Sequence, residues 1–93
     1  MPKLIGNLRI TANTGADGAP PHFDVAFMPH AGHLDTKTVR VATYDDLVAF
    51  LMEIRISEDE ATRWAGRARS GGVTLIPNLE RNDSLLRESG LLT

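Results

Sequence analysis

Three histidines and two aspartates lie close together in this chain: His22, His30 and His33, with Asp24 and Asp35 beside them. Imidazole and carboxylate are the donors that hold zinc or another borderline divalent ion, and three of them plus a water make an open site. His30 and His33 have an H-x-x-H spacing, but they sit on a stretch containing Pro29 and Gly32, which fixes ligand geometry poorly. No H-E-x-x-H pair accompanies them. His22 joins them only if the end of its strand folds back. A metal-binding protein or metal-dependent enzyme using His22, His30 and His33 is therefore an alternative reading, and no cofactor or metal is assigned.

A second set is cationic. Arg63 and Arg67 stand four residues apart on one flank of a helix, with Arg69 pointing elsewhere. Asp59 and Glu60, one turn earlier, are placed to pair with Arg63 as on an ordinary solvated face, and the competing use is a carboxylate or phosphate clamp. Weak nucleic-acid binding through Arg63, Arg67 and Arg69 is a further alternative. Around these arginines, residues 47–64 resemble the helix-turn-helix of bacterial repressors over about twenty residues. The motif's small residue falls at Leu51 and its turn glycine at Arg55. The first turn of the recognition helix reads Glu58, Asp59, Glu60, which repels phosphates and suits the positive end of a helix dipole.

Nucleophilic chemistry has little to build on. There is no cysteine, Ser57 reads as a helix cap, and Ser70, Ser84 and Ser89 lie near helix ends with no histidine nearby in sequence. The glycines of RSGG, residues 69–72, follow a helix, whereas a phosphate loop needs them before one. An enzyme is not the favoured reading.

The elements that position these groups follow from periodicity. Residues 3–12 alternate as a strand with Leu4, Leu8, Ile10 and Ala12 on one face, and Gly6 marks a bulge or a close neighbour. Residues 13–21 form a long mobile hairpin loop. Residues 22–28 alternate with Phe23, Val25 and Phe27 inward, and residues 36–42 make a third strand with Val39 and Val41 inward. Short connections make these three an antiparallel meander.

Residues 44–72 read as two helices. The first has a broad apolar stripe through Tyr44, Leu47, Leu51 and Ile54, widened by Val48, Phe50 and Met52; the second buries Ala61, Trp64, Ala65 and Ala68. Thr43 and the Ser57–Glu60 capping box start them, and Gly71 and Gly72 stop the second. Residues 73–76 are a fourth strand, closed by Pro77 and expected to lie parallel to its neighbour because a crossover leads to it.

The expected fold is α+β, β-β-β-α-α-β, with a helical hairpin on one face of the sheet. Residues 1–78 form the domain and 79–93 a short helical tail, capped at Asp83 or Ser84 and ended by Gly90. Leu85, Leu86, Leu91 and Leu92 of that tail are assigned as partner-binding, the competing fate being the domain's own core.

At 93 residues, 42% hydrophobic and 24% charged, the chain has the composition of one globular domain. Four cations face three acids in residues 1–43, and six arginines face nine acids after them, so no basic domain or stripe marks a duplex binder. No stretch nears the roughly 18 apolar residues of a membrane span, and the apolar run at residues 1–10 is too short for a signal peptide. A cytoplasmic location is expected. The outer sheet face has Asn7, Arg9, Thr11, His22, Asp24, Thr38 and Arg40 but no aromatic platform for single-stranded bases. The favoured function is a non-catalytic interaction or regulatory module, binding itself or another protein through a free sheet edge and the leucine-bearing tail.

Overall fold

The computed structural model describes residues 3–13, 20–30 and 36–92. Strands β1 (Lys3–Asn13), β2 (His22–Pro29) and β3 (Thr38–Val41) form the meander. Helices α1 (Tyr44–Glu53) and α2 (Glu58–Gly71) come next, then β4 (Val73–Asn82) and the short α3 (Asp83–Glu88). The sheet order is β3-β2-β1-β4. All pairings are antiparallel.

The parallel fourth strand is thus corrected. One crossover helix returns the chain to the start of a strand, but two antiparallel helices carry it back to the end it left. β4 therefore begins beside Thr11, at the same end where β3 stopped, and runs opposite to β1. It also continues past Pro77 to Asn82, across the 78/79 position where the tail was expected to begin. β3 starts two residues later than expected, and Thr36 instead bridges Leu92. The loops expected at residues 13–21 and 29–35 fall largely outside the described residues.

Pro77 sits at a β-bulge. Leu8 pairs with Ile76 and Gly6 with Leu79, so Pro77 and Asn78 together oppose Asn7. Asn78 takes φ 53, a left-handed conformation that asparagine tolerates, and its N–H donates to Asn7 Oδ1 at 3.2 Å. The extra residue resets the pleat. Thr74 and Ile76 face inward before the bulge, and Leu79 and Arg81 face inward after it.

The core lies between the inner sheet face and the helices, built on Leu8, Ile10, Val25, Phe27, Leu47 and Leu51. Met52, expected to widen the α1 stripe, is exposed; the C-terminal end of that stripe is closed by Ile54 and Ile56 instead. Thr43 caps α1 by accepting from the Asp46 N–H at 3.0 Å, and Ser57 caps α2 by accepting from the Glu60 N–H at 3.4 Å. α3 has Asn82 at its N-cap with no side-chain cap bond, in place of the expected Asp83 or Ser84, and Asp83 pairs with Arg87 at 2.8 Å.

Two helices end in the same device. The Ile56 N–H reaches Leu51 O and the Arg55 N–H reaches Met52 O, both at 3.1 Å; around Gly90, the Leu91 N–H reaches Leu86 O and the Gly90 N–H reaches Arg87 O. Gly90 takes φ 90 at no steric cost, whereas Arg55 takes φ 70 with a side chain. The position that the repressor motif would fill with glycine does adopt the glycine conformation. Arg81 holds it there by donating to the carbonyls of Ile54 and Arg55. Burial pulls the Arg81 guanidinium below its ordinary pKa, while Glu60 and Glu80 oppose that shift.

Gly6 faces Pro29 at the end of β2. A Cβ there would run into the carbonyl of Met28 and come within 2.7 Å of the Phe27 ring. The Met28 contact is with backbone, which cannot swing away. Gly6→Ala is expected to lower stability by about 3 kcal/mol in urea denaturation, at the upper end of ordinary overpacking.

Candidate functional site

The two described histidines, His22 and His30, do not come together. His22 and His30 bracket β2, eight residues of extended chain, so they stand on the order of 25 Å apart. His22 Nδ1 lies 3.0 Å from Pro20 O and Nε2 3.5 Å from Asp24, while His30 Nε2 lies 3.1 Å from Asn7 Oδ1. His33 and Asp35 lie outside the described residues. Among the described residues no group of three or more His, Asp or Glu is placed to share an ion. Asp24 is engaged in a surface network, accepting from Asn13 Nδ2 at 2.6 Å and Arg40 Nε at 3.4 Å.

The leucines of the tail divide three to one. Leu86, Leu91 and Leu92 are buried in this chain's own core, and Leu85 is half-buried at the surface. The tail crosses the open end of the core from β4 toward β3, where the Lys37 N–H donates to Leu91 O at 2.9 Å.

The arginines also separate. Arg69 stacks over the Tyr44 ring at 4.5 Å, on the α1 side of the hairpin. Arg63 and Arg67 instead flank a groove of about 690 Å³ between α2 and the edge of β4. Arg67 lies 5.3 Å over the Trp64 ring, which is half-buried and not fully spent on the core. The expected pairing of Arg63 with Asp59 or Glu60 does not form. Among the described residues neither Arg63 nor Arg67 makes an ion pair, and no acid lines the groove.

The far wall of the groove is β4 itself. Ala12 and Gly72 face each other, and the Ala12 N–H donates to Gly72 O at 2.6 Å. Hydrogen-bonded and non-bonded pairs alternate in an antiparallel ladder, so Thr74 and Ile76 aim their backbone groups at β1. Val73 and Leu75 aim theirs away from it. The opposite side of β1 agrees, because Ile5 O accepts from the His30 N–H across β2. β4 pairs with no strand but β1 among the described residues, leaving the N–H and C=O of Val73 and Leu75 at a free edge. Pro77 continues that edge, where its missing donor costs nothing.

Beyond its arginines, the groove rests on Gly66, Val73 and Leu75, which sequence did not single out as site residues. Val73 and Leu75 are 58% and 46% exposed and face the outer side of the sheet. Gly66 lines the groove in mid-helix, and a Cβ built on it meets nothing within 4 Å. Neither packing nor backbone conformation demands glycine there. A second hollow near Arg55 and Arg81 also contains Glu80 and Glu88, so it presents no single sign of charge. No helix among the described residues is long and apolar enough to cross a membrane.

No family model, no characterised protein and no solved structure matches this chain.

Because the space beside Gly66 is empty, Gly66→Ala is expected to stabilise the protein by about 1 kcal/mol, the intrinsic helix-propensity difference. Leu86→Ala is expected to destabilise it by roughly 3 kcal/mol, as for other fully buried leucines. Both are read from chemical denaturation midpoints at unchanged slope.

Proposed function

We propose that this protein is a non-catalytic interaction module that binds a protein segment by adding it as a strand to the free edge of β4. The observation that carries this reading is the run of backbone groups at Val73 and Leu75 that are unpaired among the described residues, beside a groove walled by α2. An added strand satisfies those groups and fills the groove at once, which is how edge strands recognise extended peptides. Of the two surfaces expected to bind a partner, the edge retains open groups. The leucines of the tail support it indirectly, by fixing β4 against the core.

Magnitudes limit what the edge does alone. Four main-chain hydrogen bonds at about 1 kcal/mol each correspond to roughly millimolar affinity. Side chains lining the groove must therefore supply both affinity and choice of partner. β3 is a poorer edge because only four of its residues pair.

Leu75→Pro tests this. It deletes an outward N–H that has no partner among the described residues and sets a ring against any added strand. The folded protein is expected to lose less than about 1 kcal/mol, while a partner captured by the wild type from source cells, or self-association seen in sedimentation, is lost. Retention of the partner by a folded Leu75→Pro variant would contradict the reading.

A further inference from the structure

We propose that the segment taken up by the α2–β4 groove alternates acidic and apolar residues, its acids facing Arg63 and Arg67. This deepens the reading of β4 as a partner-binding edge and rests on it. The pleat supplies the first step. Side chains of an added strand alternate between the two faces of the sheet, as those of β4 do. Those in step with Thr74 and Ile76 point to the inner side, against the α2 flank. Those in step with Val73 and Leu75 point to the outer side and cover the exposed apolar surface of that pair.

Charge supplies the second step. Arg63 and Arg67 lie one helical turn apart, so they present two guanidinium groups along the groove with no carboxylate among its lining residues. Two successive inward side chains of an extended strand are spaced by about 6.6 Å, close to one helical turn of about 5.4 Å, so alternate acids can each meet one arginine. Stacking on Trp64 restrains Arg67 before any partner arrives, which reduces the side-chain freedom lost on binding. Lysines at the same positions would meet like charge.

Space supplies the third. Gly66, beside Arg67, leaves the groove floor bare where any other side chain would project into it. The length is also bounded. Pairing begins at Val73 and ends at Pro77, because the bulge at Asn78 interrupts the regular edge, so the recognised core is about five residues.

A second copy of this chain is a poor occupant. β2 has one acid, Asp24, β4 has one, Glu80, and β1 and β3 have none, so no described strand offers two alternate carboxylates.

The test is titration of the full-length protein with two blocked octapeptides, one alternating glutamate and valine, the other lysine and valine. Saturable binding of the glutamate peptide is expected, at least tenfold tighter than the lysine peptide. The Val73 and Leu75 amide signals should shift on binding. The Arg63→Ala, Arg67→Ala double variant should bind at least tenfold more weakly at unchanged melting temperature. Gly66→Leu, a good helix former, should fill the groove and weaken binding while melting no lower than the wild type.

Equal affinity for both peptides, with Leu75→Pro abolishing both, would overturn the acidic class and leave the edge reading standing. A dimer that Leu75→Pro dissolves and the glutamate peptide does not displace would do the same, with a second copy as the occupant. Binding that leaves the Val73 and Leu75 amides unshifted, or that a folded Leu75→Pro variant retains, would overturn both. If neither peptide binds, the acidic class falls. The edge reading then stands or falls on the Leu75→Pro capture.

Discussion

The two residues of β4 that oppose Asn7 set the terms for the rest of the molecule. Without the extra residue at Pro77–Asn78, strict alternation from Thr74 and Ile76 would carry Asn78 and Glu80 into the core and turn Leu79 and Arg81 out. A left-handed Asn78 costs on the order of 1 kcal/mol. Burying Leu79 gains about 2 kcal/mol, and an unpaired carboxylate buried in its place would cost several more. The bulge wins by a wide margin, and its N–H is satisfied by the Asn7 side chain.

The chain beyond the bulge depends on that reset. Because Arg81 points inward, its guanidinium reaches the carbonyls of Ile54 and Arg55 and caps the end of α1, where a cation suits the helix dipole. Because β4 ends beside Lys3, α3 starts at the open end of the core and Leu86, Leu91 and Leu92 close it. The strand, the helix end and the tail are one mechanical unit. The half of β4 before the bulge keeps its regular register, and its outward backbone groups have no strand neighbour among the described residues.

Local signals set the type of each element. Phe23, Val25 and Phe27 alternate cleanly, Thr43 and Ser57 sit three residues before the N–H groups they cap, and Gly6 marked the close approach it makes. Direction and extent of β4 were harder to read, for physical reasons. Two helices reverse the chain twice, which pattern within the strand does not record. A proline stops a central strand but not an edge strand, and being an edge is a property of the assembled sheet. The candidate site was legible in its arginines and in the idea of a free edge. It was not legible in Gly66, whose interest is the empty space beside it, nor in Val73 and Leu75, whose open backbone groups show only once β4 is placed at the edge of the sheet. His22 and His30, close in sequence, stand far apart because the chain between them is an extended strand.

A free edge next to a cationic helix flank is the one surface among the described residues with unmet backbone and side-chain capacity together. Natural edges are usually blunted, and here the blunting is confined to the bulged half. The most direct measurement is amide hydrogen exchange along β4 in the unliganded protein. Thr74 and Ile76 are predicted to be strongly protected by their bonds to β1, and Val73 and Leu75 to exchange orders of magnitude faster. Uniform protection of all four amides, or the reverse alternation, would contradict the register from which the free edge is derived.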